Sequence, residues 1–194
     1  MPKFDNPPVI DGELEELVFR KAAKIEKFYK CLRGVYSAKE TEGKSEVYLC
    51  YTDEVFYIGA KGYEDSTKDL LRKHKGRDSP VFADDSWEIF LDTNYDYKTY
   101  YQIVVNSIAE VYDGYGMKRE WNGQYNVSAK IEEKFWSMEI EIPFEELDNT
   151  KVEKGSIWGF NINRFRAHDG ESCQWVPTYG SHHRPDLFGF LIFD

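Results

Sequence analysis

The fold of this chain can be predicted from residues 77–92, which read RDSPVFADDSWEIFLD. In the second half, Trp87, Ile89 and Leu91 alternate with other residues, and the side chains of a β-strand point alternately to its two faces. One face is therefore apolar and is predicted to pack on a core. The other carries Glu88 beside an aromatic ring. That pairing suits a ligand with an apolar ring face and a rim of hydroxyl groups, which describes a sugar.

Length, composition and charge limit the class of protein. The 194 residues fit one domain with a sizeable core, so we predict a single domain over residues 1–194. Aromatic residues make up 16% of the chain, which favours strands over helices. The net charge of −10 argues against nucleic acid and anionic membranes as partners, because both attract clusters of Lys and Arg. A neutral ligand is compatible with this charge.

The cysteines and the N-terminus do not identify the cellular compartment of the protein. Cys31, Cys50 and Cys173 are too few for a disulfide framework. Two of them lie in apolar strand patterns, which favours buried free thiols. A single disulfide between two of the three cysteines is also compatible with the sequence. The chain begins without a charged-then-apolar signal segment and has no run near the ~20 apolar residues of a membrane span.

Most of the chain alternates apolar and polar residues with a period of two. About ten short strands, with turn signals between them and one or two short helices, predict an all-β fold, an antiparallel β-sandwich of the immunoglobulin or jelly-roll type. A short helix is predicted at residues 13–23, and a surface helix or long loop at 65–75. The predicted strands are 46–51, 54–60, 87–92, 100–106, 109–113, 124–132, 135–142, 158–166, 172–176 and 188–193.

The strand at residues 100–106 supplies further candidate ligand-binding residues. If it pairs with the strand at 87–92, the apolar faces of both share one core. Gln102 and Asn106 then lie on the same outer face as Glu88. Such a face offers amide donors and acceptors without a nucleophile. An ordinary solvated sheet face is an equally good interpretation of this strand by itself.

A long loop near the C-terminus, at residues 174–189, contains a third group of candidates. Its prolines and glycines indicate irregular structure before the last strand. Aromatic side chains in a loop have less core available to bury them than those in strands, so a binding role is favoured for Tyr179 and His182. For Trp175, an anchoring role in the loop competes with a binding role. The candidates from this loop are Trp175, Tyr179 and His182.

Two other functions stay open at this point. A glycosidase needs two carboxylates on either side of the scissile bond, and the candidates beside Glu88 are Glu139, Glu141 and Asp169. A haem-binding electron carrier would use Met117 with a histidine of the pair at residues 182–183. Nothing in the sequence sets the distance between Met117 and these histidines, so the binding interpretation is preferred to both alternatives.

The chain resembles family 9 carbohydrate-binding modules, with matching motifs in the same order along its whole length. The matching segments are residues 8–14, Arg77-Asp78, the block at residues 84–92, Gln102 with Val105-Asn106, residues 136–144, Trp158–Arg164, Gln174-Trp175 and Phe188-Gly189. The resemblance implies a non-catalytic β-sandwich that grips a sugar ring, often at the end of a glycan chain, between aromatic side chains. It also implies a larger glycan-degrading parent protein and favours an extracellular or periplasmic location.

Site residues of the family can be placed on this sequence by motif position. The resemblance puts Phe82 at the first clamp aromatic residue and Glu88 at the carboxylate that bonds the sugar hydroxyls. Gln102 falls on a polar strand that lines the site. The second clamp position falls near His182, and a neighbouring amide position near Tyr179.

Two features of the family have no clear counterpart here. The family's arginine falls on Val104, so we expect weaker binding, or a different sugar, unless another arginine reaches the site. The candidates are Arg164, Arg166 and Arg184. No cofactor is expected to be required for binding. Relatives carry structural calcium, however, and the carboxylates that suit such an ion are Asp84, Asp85 and Asp92.

Overall fold

Two antiparallel sheets packed face to face form most of the structure, a computed structural model that describes residues 1–14, 17–31, 38–147 and 151–194. The strands among these residues are β1 (Ala23–Ile25), β2 (Tyr29–Lys30), β3 (Ser45–Tyr51), β4 (Val55–Tyr63), β5 (Ser86–Asp92), β6 (Tyr101–Asn106), β7 (Val111–Tyr115), β8 (Asn126–Ile131), β9 (Phe135–Pro143), β10 (Ile157–Arg166), β11 (Glu171–Gln174) and β12 (Gly189–Ile192). The predicted all-β sandwich is confirmed. The pattern missed β1 and β2 because strands of two or three residues show no alternation.

Helices are few and short. The α-helix α1 (Leu17–Lys21) lies inside the predicted segment 13–23, of which residues 15 and 16 fall outside the described part. The predicted segment 65–75 forms a single short turn followed by loop. The 3-10 turns are Thr67–Asp69, Val81–Ala83, Phe144–Glu146 and Pro185–Leu187. Across the described ranges, every helix is too short or too polar to reach from one side of a membrane to the other.

The order and register of the strands determine which side chains become neighbours. Within the described ranges, one sheet has the order β1-β3-β4-β9-β8. The other has the order β2-β11-β10-β5-β6-β7, with β12 also paired to β10. In this second sheet Glu88 on β5 lies opposite Asn163 on β10 and Val104 on β6. Three chemically different side chains thus meet on one face.

The apolar faces of the two sheets form the core. Trp87 of β5 contacts Trp136 of β9 with ring centroids 6.3 Å apart, and Phe56 of β4 contacts Trp158 of β10 at 5.9 Å. The predicted inward face of β5 is therefore confirmed. Phe90, on the opposite face, is also fully buried, because two small apolar clusters cover part of the outer surface of this sheet. These clusters are Phe90, Tyr100, Phe188 and Val81, Val104, Tyr112.

Two of the sequence motifs are joined by hydrogen bonds. The backbone N–H groups of Asp11 and Gly12 donate to Glu139 at 3.0 and 2.6 Å, and the hydroxyl of Ser137 donates to the carbonyl of Gly12 at 2.6 Å. Gly12 has φ +92°, and a Cβ there would lie 2.9 Å from the carbonyl carbon of Ala129. The opening motif therefore requires glycine, and it attaches the N-terminal segment to β9.

A buried ion pair connects the sheets. Arg164 of β10 donates to Glu64 at 2.5 Å, and the two side chains are 1% and 0% exposed. The guanidinium also donates to the carbonyl oxygens of Lys44 and Tyr63. It packs against Gly62 of β4, where a Cβ would lie 2.6 Å from the guanidinium carbon. These hydrogen bonds offset the cost of removing two charges from water.

We expect Arg164→Met to lower the free energy of unfolding, because it leaves the Glu64 carboxylate buried without its closest cation. Removing one partner of a buried ion pair costs about 3–5 kcal/mol. Arg166 also contacts Glu64 and compensates in part, so the expected loss is about 3 kcal/mol. Urea denaturation measures it. Lys3→Met, which removes an exposed ion pair with Asp53, serves as the control. Equal stability of the two variants would contradict this assignment.

Candidate ligand-binding cleft

An open cleft of about 420 Å³ lies on the outer face of the sheet that contains β5. Side chains from β5, β6, β7, β10 and β11 form its floor, since they alternate with the residues that face the core. The loops before β5, after β7 and after β11 form its walls. Its lining residues are Phe82, Ser86, Glu88, Gln102, Val104, Tyr112, Met117, Arg119, Asn163, Phe165, Ser172, His182 and His183.

The carboxylate of Glu88 lies at the centre of the polar part of this cleft. It accepts hydrogen bonds from Nε2 of Gln102 at 2.6 Å and from Nδ2 of Asn163 at 3.1 Å. Nδ1 of His182 lies 2.8 Å from the same carboxylate. The Glu88 side chain remains 17% exposed. It is thus held rigidly by three neighbours and still borders the open space.

The charges of Glu88 and His182 stabilise one another. Burial alone raises the pKa of Glu88, but the hydrogen bond and charge of His182 bring that pKa below its ordinary value. Burial lowers the pKa of His182, but hydrogen bonds with Cys31 and Glu88 raise it from 6.5 to about 10. Burial lowers the pKa of the neighbouring His183. At neutral pH the cleft therefore contains a carboxylate, an imidazolium and a neutral imidazole.

Asn163 offers an unused acceptor. Its side chain is only 2% exposed, and its Nδ2 donates to Glu88. Its Oδ1 is buried and receives no hydrogen bond from any residue in the described part of the chain. A buried oxygen without a donor costs free energy unless a ligand or water satisfies it. Asn163 itself lines the cleft, with this oxygen covered by the surrounding protein.

The opposite wall is aromatic and cationic. Phe82 is 43% exposed and meets the ring of Tyr112 edge-on, with centroids 5.5 Å apart. Arg119 lies over the same Tyr112 ring, 5.5 Å from its centroid. It is exposed and forms no ion pair with the described residues. A free guanidinium and an exposed ring therefore face the Glu88 group across the cleft.

The structure brings four of the predicted site residues into this cleft: Phe82, Glu88, Gln102 and His182. Asn106 is elsewhere; it is fully buried and bonds Asp84 at 3.0 Å and the carbonyl of His74 at 3.2 Å. Trp175 packs on Phe160 and under Gly189, as expected of a loop anchor. Tyr179 does not line the cleft either.

Sequence reasoning missed Asn163 and Arg119. The alternation along residues 158–166 places Asn163 on an outer face, but only the pairing of β10 with β5 puts it beside Glu88. Arg119 belongs to the glycine-rich segment 114–123, which has no periodic pattern from which a direction can be predicted. The three arginines that were candidates do not line the cleft. Their partners are Glu64 for Arg164, Glu64 and Glu171 for Arg166, and Asp186 for Arg184.

The geometry also bears on the two alternative functions. Glu88 is the only carboxylate among the cleft-lining residues of the described chain. The other glycosidase candidates lie elsewhere: Glu139 bonds the N-terminal segment on the other sheet, Glu141 bonds Asn126, and Asp169 pairs with Arg166. For haem, Met117 and His182 do share the cleft, but both ring nitrogens of His182 are engaged by protein groups.

The carboxylates that suited calcium are used by the protein itself. Asp84 accepts from the backbone of Lys73 and His74, and Asp92 accepts from the N–H groups of Asp96 and Tyr97. Asp85 belongs to a cluster with Glu64 and His168 whose ligand atoms lie within 4.8 Å of one another. Two arginines bond the Glu64 carboxylate in that cluster. A donor set already neutralised by guanidinium groups does not fit a hard cation.

Comparison with known proteins gives one family and several similar structures. The family model described as "Carbohydrate family 9 binding domain-like" matches residues 10–193. Two similar solved structures are carbohydrate-binding modules of family 9 from Caldicellulosiruptor kristjanssonii. The module in complex with glucose has a TM-score of 0.72 and 21% identity, and covers 100% of this chain and 95% of its own. For the module in complex with cellotriose, the TM-score is 0.73, the identity 20% and the coverage 99% and 91%.

A third similar structure comes from Bacteroides uniformis. It has a TM-score of 0.78 and 16% identity, and it covers 100% of this chain and 98% of its own. No curated protein gives a significant match. At these identities the solved structures support the sandwich fold, and the family rests on the match of the family model over nearly the whole chain.

The pair formed by Glu88 and His182 makes stability depend on pH. In the folded protein His182 keeps its proton up to about pH 10, whereas the unfolded chain loses it near 6.5. The pair therefore stabilises the fold fully below pH 6.5 and progressively less as the pH rises towards 10. We expect the stability difference between the wild type and His182→Gln, measured by urea denaturation, to shrink over this range. A constant difference would contradict the assigned charge of His182.

Proposed function

The chain belongs to the carbohydrate family 9 binding domain-like family, and we propose that it binds a sugar ring in the cleft around Glu88 without catalysing a reaction. One observation carries this proposal: a carboxylate held by three neighbours lies beside an unused amide oxygen and an exposed aromatic ring in one open cleft. The complexes of the two similar modules with glucose and cellotriose support the same ligand class.

Each part of the cleft matches a part of a sugar. The exposed ring of Phe82 covers the apolar C–H groups of a pyranose face. Glu88 accepts from hydroxyl groups, and because Gln102 and His182 hold it in place, little entropy is lost on binding. Arg119 donates to a ring or hydroxyl oxygen from the other side. Donors and acceptors then surround a ligand that is rich in both.

His182 does not act as a second aromatic clamp residue. Its two ring nitrogens bond Glu88 and Cys31, so the imidazole serves to position the carboxylate instead of stacking on a sugar. One aromatic wall buries less ring area than two. We therefore expect weak binding, with a dissociation constant of about 1 mM to 10 μM, which corresponds to roughly 4 to 7 kcal/mol.

A binding role is favoured over hydrolysis by the count of carboxylates. Hydrolysis of a glycoside requires a second carboxyl group about 5–10 Å from the first, across the substrate. Among the described residues, Glu88 is the sole carboxylate that lines the cleft. Its three hydrogen bonds and lowered pKa also oppose the protonated state that a general acid needs. Assays on aryl glycosides and oligosaccharides test this part of the proposal, and turnover that Glu88→Gln abolishes would overturn it.

We expect Phe82→Ala to weaken sugar binding about tenfold, since losing a stacked ring costs roughly 1.4 kcal/mol. Isothermal titration with glucose, cellotriose and a panel of other saccharides measures the affinity. Phe190→Ala removes another exposed ring, on β12, and should leave the affinity unchanged. If the wild type gives no heat with any saccharide at millimolar concentration, or if both variants bind like the wild type, this site assignment fails.

Arg119→Gln should weaken binding about fivefold, because a hydrogen bond from a charged donor is lost at a partly exposed site. Lys118→Gln changes the same charge at the preceding residue, which does not line the cleft. It should therefore bind like the wild type. Equal losses in the two variants would indicate a general electrostatic effect and remove Arg119 from the site.

A further inference from the structure

Cys31 lies at the end of a row of three chemically complementary side chains. It follows β2, and its N–H donates to the carbonyl of Ser172 on β11 at 2.8 Å. Its Sγ lies 3.1 Å from Nε2 of His182. Nδ1 of the same imidazole lies 2.8 Å from Glu88. Thiol, imidazole and carboxylate thus form a continuous hydrogen-bonded chain.

We propose that Cys31, His182 and Glu88 form a nucleophilic relay that makes Cys31 a covalent modification site for small disulfides and other soft electrophiles. The order of the groups carries the proposal. A nucleophile within hydrogen-bond reach of an imidazole, whose other nitrogen a carboxylate orients, is the arrangement that activates sulfur and oxygen nucleophiles in proteins. Sugar binding uses Glu88 and His182 but not Cys31, so the proposal goes beyond the proposed function.

The sulfur can also be approached from solvent. Cys31 is half-buried and lines a second cavity of about 460 Å³. Ser172 lines both this cavity and the sugar cleft, and therefore forms the boundary between them. An electrophile can enter from the side of the second cavity while His182 contacts the sulfur from the side of the cleft.

The charge state of His182 supports this arrangement. Its raised pKa, about 10, results from the contacts with Cys31 and Glu88 acting against burial. An imidazolium N–H directed at sulfur stabilises a thiolate, which is the reactive form of cysteine. Burial raises the pKa of both Cys50 and Cys173 to about 12. Cys31, by contrast, lies against the His182 imidazolium and lines a cavity.

The other charged groups around the relay are mostly paired with one another. On the side of the second cavity, Lys30 pairs with Glu171, and Arg166 pairs with Glu64, Asp169 and Glu171. The titratable and charged groups that face the relay are His183, Tyr100, Tyr112 and Arg119 from the cleft, and Lys30, Glu42, Arg166, Asp169 and Glu171 from the second cavity. Glu88 remains the only carboxylate that contacts His182 among the described residues.

The reaction with a small disulfide is a thiol–disulfide exchange. The Cys31 sulfur attacks one sulfur of the reagent, a new S–S bond forms and the reagent's own S–S bond breaks. The departing thiolate takes the proton that the His182 imidazolium carries. With an alkylating reagent such as iodoacetamide, a carbon–sulfur bond forms and iodide leaves, and the imidazolium then exchanges its proton with water.

The pH dependence of alkylation tests the proposal. Iodoacetamide is added to the full chain between pH 5 and 10, and mass spectrometry measures the labelling rate of each cysteine. An isolated thiol titrates near ~8.5 and is only a few per cent reactive at pH 7. We expect Cys31 to be labelled alone, and at pH 7 faster than free cysteine in the same buffer. Hydroxyethyl disulfide should add one mixed disulfide at the same residue.

Matched variants identify the relay. Glu88→Gln and His182→Gln should each slow the labelling of Cys31 at pH 7 about tenfold, because each removes one contact of the relay. Glu145→Gln removes an exposed carboxylate away from the relay and should change nothing, and Cys31→Ser should abolish labelling. The labelling rates of the wild-type protein test the proposal even if a variant fails to fold. A wild-type rate at pH 7 no faster than that of free cysteine, or label on Cys50 or Cys173 instead, would overturn the proposal.

Discussion

The carboxylate of Glu88 is the constraint on which the outer face of this protein depends. A charge placed on a sheet between two apolar clusters costs several kcal/mol unless it is hydrogen-bonded and paired. Gln102, Asn163 and His182 meet that requirement, each from a different element of the chain. Their side chains are thereby held in one orientation. The cleft owes its shape, its polarity and its unused acceptor to the need to keep one buried carboxylate ionised.

The same sheet carries an ion pair on its other face as well. Arg164 and Glu64 lie between the sheets, one residue along β10 from Asn163, so successive side chains of a single strand serve opposite sides. The inner pair joins the sheets, and the outer group forms the candidate site. Because both depend on the register of β10 against β5, a slip of one residue would exchange a buried cation with a cleft amide and lose both.

His182 connects the sugar cleft with the region around Cys31. An imidazole has two nitrogens on opposite edges of a rigid ring, so bonding one to Glu88 directs the other outwards. Here that second nitrogen meets a thiol. A stacking residue at this position would have made a larger aromatic wall for a sugar. The histidine offers less stacking area, but its two hydrogen bonds connect the carboxylate of one cavity to the sulfur of the next.

Alternation, turn residues and aromatic content were sufficient to predict the all-β sandwich and the inward face of β5, because these features are local. Strand faces, loop composition and the family resemblance predicted a site with Phe82, Glu88, Gln102 and His182, and these four side chains line one cleft. The sequence could not show Asn163, Arg119 or Cys31 as neighbours of that group. Each comes from a distant segment, and only strand pairing and loop direction bring them together. For the same reason Asn106 proved to be internal, and Trp175 proved to be half-buried against the core. An alternating pattern gives the face of a side chain, but not what covers that face in the folded chain.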